Sequence, residues 1–200
     1  MRSFQHYAIP AIWIAWLVYW TLAARGTKPN RREESVASRL SHIIPLSLAV
    51  GLLATTHVPA WLAAPVLPWR DAWFWLGFCL VVIGVALSVA ARIHLGGNWS
   101  GTVTVKQGHD LIRSGPYRWV RHPTYTGLLL ALLGSAIALD EWRGPVAVVL
   151  ATLALLRKIA VEESFLAGHF GDAHARYRAE VPALLPVRRA HAPVRNDANG

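Results

Sequence analysis

A cationic, aromatic segment stands apart from the long apolar runs of this chain. Residues 113–127 read RSGPYRWVRHPTYTG, with three arginines, one histidine, two prolines and two tyrosines in fifteen residues. Pro123 lacks a backbone N–H and suits the first turn of a following helix, whose N-terminus would offer free N–H groups to an anion. Arg121 and His122 adjoin that turn. Three aromatic residues offer walls for a planar ring or a cation: Tyr117, Trp119 and Tyr125.

The same segment has a second interpretation, as an interfacial membrane anchor, because arginine and aromatic residues are common at membrane surfaces. An anchor does not require a defined backbone, however. The density of turn-forming residues therefore favours a built ligand site.

A second polar cluster, RKIAVEES, occupies residues 157–164. Lys158 and Glu162 are four residues apart, which allows an ion pair on a helix surface. On that interpretation Glu163 is ordinary polar surface. The other interpretation is that one of the two carboxylates meets a cationic ligand near a membrane, and the spacing alone does not decide between them.

The elements that position these clusters are apolar. The 200 residues are 54% hydrophobic and 16% charged, which is too apolar for an ordinary soluble domain. Three uncharged runs are long enough to span a bilayer: Gln5–Ala24, His42–Ala64 and Ala72–Ala91. Two shorter runs, 124–139 and 144–156, are predicted to form a helical hairpin whose second helix continues past Arg157.

Basic residues are distributed unevenly between the loops of this five-span arrangement. With the N-terminus outside, 17 Lys and Arg residues lie on the cytoplasmic side and 3 on the outer side, which agrees with the positive-inside rule. The net charge of +9 then reports topology in a multi-pass protein of the cell (inner) membrane, and not nucleic-acid binding. The histidines are scattered and Cys79 is the single cysteine, so no metal site is expected.

Smaller features predict local structure. Gly77, Gly84, Ser88 and Ala91 recur on one face of the third run, which indicates close helix packing. The segment GTKPNRREES is predicted to be a polar turn with solvated Glu33 and Glu34, and TVTV a short extended piece. We expect one domain over residues 1–186 and a disordered tail over 187–200.

Two motifs together resemble the isoprenylcysteine carboxyl methyltransferase and phospholipid methyltransferase family of integral-membrane enzymes. They are GPYRWVRHPTYTG at 115–127 and EESFLAGHFGDAHARYRAEVPALLP at 162–186, preceded by the loop NWSGTVTVKQGHDLIRSG. The resemblance implies an all-α membrane protein with five transmembrane helices that uses S-adenosylmethionine. Its cytosolic cofactor pocket would be formed by the loop before helix 4 and the segment after helix 5.

The resemblance also implies roles for particular residues. The cofactor positions are His109, Asp110, Leu111, Ile112, Tyr117, His122, Pro123, Thr124, Tyr125, Glu162 and Glu163. The candidate catalytic set on the acceptor side is Lys158, Arg157 and Arg121. Carboxyl methyltransferases of the family carry arginine where this chain has Lys158, and lysine lacks the bidentate fork of arginine.

The expected reaction is methylation of a carboxylate on a lipophilic, isoprenylcysteine-like or small acceptor at the bilayer. A carboxylate is anionic at neutral pH and needs no general base, so the protein would mainly position and desolvate the reactants. The alternatives are a phospholipid N-methyltransferase, a small-thiol S-methyltransferase, or a non-catalytic membrane scaffold or transporter.

Overall fold

The computed structural model describes residues 2–26, 30–68, 71–99, 103–106, 108 and 110–187. Most of them are helical, in six α-helices: α1 (Arg2–Ala23), α2 (Val36–Ala54), α3 (Asp71–Leu95), α4 (Pro123–Leu139), α5 (Arg143–Phe170) and α6 (Asp172–Glu180). The strands β1 (Asn30–Glu33) and β2 (Thr104–Lys106) form one antiparallel pair. By length and composition α1, α2, α3 and α5 are able to cross a membrane, whereas α4 is a shorter apolar helix. The predicted helical membrane fold is confirmed. His109 and residues 188–200, which include most of the predicted tail, lie outside the described residues.

The ends of α2 and α5 do not coincide with the ends of their apolar runs. α2 begins at Val36, where the Ser35 hydroxyl caps it by accepting the Ser38 N–H at 3.2 Å, and it ends at Ala54. The prediction of a helix up to residue 64 was wrong, because residues 55–68 form an apolar loop. α5 continues past Arg157 as predicted and ends at Phe170. The second polar cluster is therefore part of a continuous helix and not a separate segment.

The loop at residues 55–68 packs on the turn between α4 and α5. The Asp140 carboxylate accepts the N–H groups of Val66 and Leu67, at 3.3 and 2.8 Å. Arg143 is buried and donates its backbone N–H to Leu62 O at 3.0 Å. Its guanidinium also donates to Thr55 O. These bonds satisfy backbone groups that a helix would have paired internally, which explains how an uncharged run ends as a loop.

Small residues bring α3 and α4 into backbone contact. Gly77, Gly84, Ser88 and Ala91 are all buried on α3, which confirms the predicted packing face. A Cβ atom on Gly84 would lie 2.5 Å from Gly127 O. The reciprocal Cβ on Gly127 would lie 2.5 Å from Gly84 O. The two helices therefore pack without room for a methyl group at this crossing.

Gly84→Ala is expected to destabilise the fold by about 1–3 kcal/mol, since the added methyl group must push two backbones apart. Gly51→Ala on α2 is the matched control, because a Cβ there meets nothing within 4 Å. Alanine is also favoured over glycine in a helix by about 1 kcal/mol. Thermal unfolding in detergent should lower the Tm for the first variant only. Equal Tm values for the two variants would contradict the tight packing.

The segment before α2 differs from its prediction. TVTV contains a strand as expected, but its partner comes from the predicted polar turn, with Glu33 opposite Thr104 in the register. The side chain of Glu34 is only 1% exposed, so the prediction that it is solvated was wrong. Backbone pairing with a distant strand carries Glu34 into the interior, and local polarity does not reveal such a pairing.

Candidate functional site

The loop before α4 is held by the chain that follows α6. A 3₁₀ turn, Gly115–Arg118, precedes this loop. The backbone N–H groups of Arg121 and His122 donate to Pro182 O and Ala183 O, at 2.9 and 3.0 Å. The structure thus brings the motif at 115–127 together with the end of the motif at 162–186, at the N-terminus of α4.

A cavity lies at this junction. Nine of the residues assigned by the resemblance line it: Asp110, Leu111, Ile112, Tyr117, Arg121, His122, Thr124, Tyr125 and Glu162. Pro123 is buried as the first residue of α4, and Glu163 is buried beside the cavity wall. Neither Lys158 nor Arg157 belongs to the lining; Lys158 is half-buried and Arg157 is exposed on α5.

Eight lining residues were not singled out from the sequence: Leu95, Asn98, Trp99, Val103, Thr104, Phe165, Leu166 and Tyr177. The sequence pattern could have identified two of these lining residues. Phe165 and Leu166 follow Glu162 by three and four residues, so helical periodicity alone places them on its face. The others come from elements whose approach the sequence pattern does not specify.

Glu162 faces the cavity with its carboxylate held by two neighbours. Its side chain is 21% exposed and lies 3.5 Å from His122 Nδ1. The Tyr125 hydroxyl donates a hydrogen bond to it. The ring of Tyr125 stacks on that of His122, with centroids 5.7 Å apart, and Lys158 Nζ lies 5.4 Å from the Tyr125 centroid. An oriented carboxylate with aromatic neighbours is suited to binding an organic cation.

Glu163 belongs to a buried ion-pair network. Its Oε1 accepts from Arg121 Nε at 2.7 Å and from His122 Nε2 at 3.1 Å. The side chains of Arg121 and Glu163 are 6% and 9% exposed. The guanidinium of Arg121 also donates to Val181 O and Arg178 O after and within α6. The interpretation of Glu163 as ordinary polar surface is wrong, because it neutralises two cations in the interior.

His122 is placed between the two glutamates. Nδ1 faces Glu162 and Nε2 faces Glu163, at 3.5 and 3.1 Å. Burial lowers the pKa of His122, but the hydrogen bonds and charges of the two carboxylates outweigh burial and raise the pKa above its ordinary value. The arrangement favours an imidazolium that fixes the orientation of both carboxylates.

Two tyrosines in the cavity lining, Tyr117 and Tyr177, act as neutral hydrogen-bond donors. Tyr177 donates to Tyr117 O at 2.6 Å, and Tyr117 donates to Ala91 O at 3.4 Å. Burial raises the pKa of Tyr177 to about 12 and raises that of Tyr117 well above its ordinary value. Both hydroxyls therefore stay protonated near neutral pH and act as structural hydrogen-bond donors.

The cavity combines one oriented carboxylate with aromatic and apolar walls. Leu111, Ile112, Phe165 and Leu166 supply apolar surface, and the N-terminus of α4 adds a positive dipole end. Within the described ranges no group of three or more His, Cys, Asp or Glu side chains is placed to hold a metal ion. A ligand that carries a cation, a planar ring and a carboxylate matches this set of partners.

Comparison with known proteins shows which family the chain resembles. The model of the isoprenylcysteine carboxyl methyltransferase family matches residues 75–168. A rice protein (Oryza sativa subsp. indica) described as a probable protein-S-isoprenylcysteine O-methyltransferase is 31% identical over 147 residues, which cover 70% of this chain and 74% of that protein. The chain belongs to the isoprenylcysteine carboxyl methyltransferase family. The family predicted from the two motifs is thereby confirmed.

Other members of the family are longer. The protein-S-isoprenylcysteine O-methyltransferase of Schizosaccharomyces pombe is 33% identical over 118 residues, which cover 56% of this chain and 48% of the yeast protein. The chain thus spans about half the length of that relative. A solved structure of a eukaryotic intramembrane Ras methyltransferase of the family superposes with a TM-score of 0.54 at 24% identity, over 85% of this chain and 53% of that one. The shared fold and the apolar helices identify a multi-pass membrane protein.

Proposed function

We propose that this protein is a membrane S-adenosylmethionine-dependent methyltransferase that esterifies the carboxylate of a lipophilic, isoprenylcysteine-like acceptor. The observation that carries the proposal is the Glu162 carboxylate, oriented by Tyr125 and His122 into a cavity at the mouth of α4. Membership of the family and the carboxyl methyltransferase names of the relatives support the type of reaction.

The residues of the cavity fit this cofactor by their chemistry. Glu162 would bind its ammonium or ribose end, and the N-terminus of α4 at Thr124 would bind its carboxylate. The apolar walls at Leu111 and Phe165 would take the adenine ring. When bound, the cofactor supplies a methyl group already activated by a sulfonium charge.

The protein's own contribution is positioning, since an acceptor carboxylate needs no general base. Lys158 lies one helical turn before Glu162 and next to the face of Tyr125, so its ammonium is the candidate for holding that carboxylate. Arg121 is engaged by Glu163 and by carbonyls near the end of α6. We therefore assign Arg121 to positioning the cavity wall, and not to contact with the acceptor.

Lys158→Ala is expected to raise the acceptor KM by about tenfold, the loss of one charge-assisted hydrogen bond, with cofactor affinity near wild type. Lys158→Arg should retain or improve activity, because the planar fork suits a carboxylate. Steady-state kinetics with a prenylcysteine acceptor measures both. Arg176→Ala, which removes an exposed cation from α6, is the control. Full activity of a Lys158→Ala, Arg157→Ala double variant would discard this role for both residues.

We also propose that α4 is a fifth span of a protein of the cell (inner) membrane, with the N-terminus outside and the C-terminus in the cytoplasm. Its 17 residues extend roughly 26 Å, a little less than the apolar core of a bilayer. The 28 residues of α5 exceed that core, so its last turns would carry Glu162 to the cytoplasmic surface. The 17-to-3 distribution of basic residues supports this orientation.

A cytoplasmic reporter fused to the C-terminus should accordingly be active, and a reporter that works only outside the membrane should be silent. Fusions in the loop between α2 and α3 should give the opposite pair of signals. Outside activity of the C-terminal fusion would eliminate the five-span arrangement.

A further inference from the structure

Among the residues that the structure describes, Glu34 is a buried carboxylate to which the proposed chemistry gives no role. Glu34 precedes the N-cap of α2, and its side chain is 1% exposed, with Oε1 3.7 Å from His42 Nε2. Oε1 also accepts the backbone N–H of Val103 at 3.1 Å, and Oε2 accepts the Ser38 hydroxyl at 3.0 Å. A carboxylate is costly to bury without such partners, so three polar contacts account for its position.

Glu34 holds Val103 at both of its backbone polar groups. In addition to the side-chain bond, the backbone N–H of Glu34 donates to Val103 O at 3.0 Å. Val103 and Thr104 are 2% and 8% exposed, and both line the cavity. Glu34 itself is not part of the lining, so it acts on the cavity wall from behind.

The part of the cavity wall at Val103 and Thr104 needs such an anchor because it contains little regular secondary structure. β2 has three residues and pairs only with the four residues of β1 in the described part of the chain. An isolated two-stranded pair is marginally stable at best. A buried side chain that fixes the residue just before β2 compensates for this weakness.

We propose that Glu34 is a positioning residue for the cofactor pocket, which it shapes by fixing Val103 and Thr104 as part of the cavity wall. This inference rests on the proposed function for the identity of the ligand. The segment before α2, outside the region that carries the family motifs, then supports cofactor binding indirectly, through the cavity wall.

Three substitutions of Glu34 separate the effect of side-chain length from the effect of side-chain charge. Glu34→Gln keeps an acceptor oxygen at the same distance from the Val103 N–H and removes the charge. Glu34→Asp keeps the charge but is one methylene shorter, so it loses the Val103 N–H. Glu34→Ala removes both. Glu141→Ala is the control, since it breaks an ion pair of 2.6 Å with Arg143 at the far end of α5.

The test is calorimetric titration of S-adenosylmethionine into each detergent-purified protein, with hydrogen exchange of residues 103–106 and steady-state kinetics. We expect Glu34→Asp and Glu34→Ala to raise the cofactor Kd at least fivefold and to speed exchange of that segment. Their kcat at saturating cofactor should stay within twofold of wild type. Glu34→Gln and Glu141→Ala should keep the Kd within twofold. If Glu34→Ala does not fold, the contrast between Asp and Gln still decides.

The outcomes separate this inference from the proposed function. Wild-type cofactor binding with an unchanged Kd for Glu34→Asp overturns the inference alone. An equal rise in Kd for Glu141→Ala also overturns it, since the effect would then follow general destabilisation. No binding by the wild-type protein overturns the proposed function, and the role of Glu34 with it.

Discussion

Replacing Glu162 with glutamine is expected to raise the cofactor Kd tenfold or more. Glutamine keeps an oxygen that accepts from Tyr125, so the shape of the site survives, but the negative charge facing the cavity is lost. A hydrogen bond to a charged group is worth about 1.5–3 kcal/mol, which corresponds to roughly ten- to hundredfold in affinity. Calorimetry on the detergent-purified protein measures the change.

Glu141→Gln is the matched control for this experiment, because it removes a carboxylate that pairs with Arg143 away from the cavity. Its cofactor affinity should equal that of the wild type. Unchanged affinity in Glu162→Gln, accompanied by a lower Tm, would instead favour a structural surface pair between Glu162 and Lys158.

Removing Glu163 is expected to have the largest effect on stability. Glu163→Ala leaves Arg121 and His122 buried without their shared counterion. Breaking one side of a buried pair typically costs about 3–5 kcal/mol of the free energy of unfolding. Thermal or denaturant unfolding in detergent should show a large loss, together with exposure of the chain after α6.

The control here is Glu180→Ala, which removes the partner of Arg113 in a pair whose side chains are 50% and 42% exposed. Such a pair contributes about 0–1 kcal/mol, so its Tm should hardly move. A Glu163→Ala protein as stable as Glu180→Ala would show that the network around Arg121 does not hold the fold together.

The sequence predicted the helices well where charge and small residues mark them. α3 lies over an uncharged run, and its buried face follows Gly77, Gly84 and Ser88. The end of α2 was missed because the loop after Ala54 is as apolar as a helix. Its backbone groups are satisfied by the distant Asp140 and Arg143, and a hydrophobicity pattern carries no information about such partners.

The site was predictable in composition but not in arrangement. The motif around His122 and the glutamate pair identify the two polar regions that meet. Only the structure separates Glu162, which faces the cavity, from Glu163, which is bound to Arg121. Glu34 was wrongly predicted to be solvated, because its bond to Val103 joins residues 69 positions apart and depends on strand register.

The proposed methyltransferase activity is tested most directly by measuring methyl transfer by the purified protein in lipid. Labelled S-adenosylmethionine would be offered with an N-acetylated farnesylcysteine, and products would be separated by their stability to base. We expect a base-labile methyl ester on the acceptor, formed by the wild type and reduced at least tenfold in Glu162→Gln at low cofactor concentration. Base-stable label on lipid amines or thiols, or no transfer at all, would contradict the proposed activity.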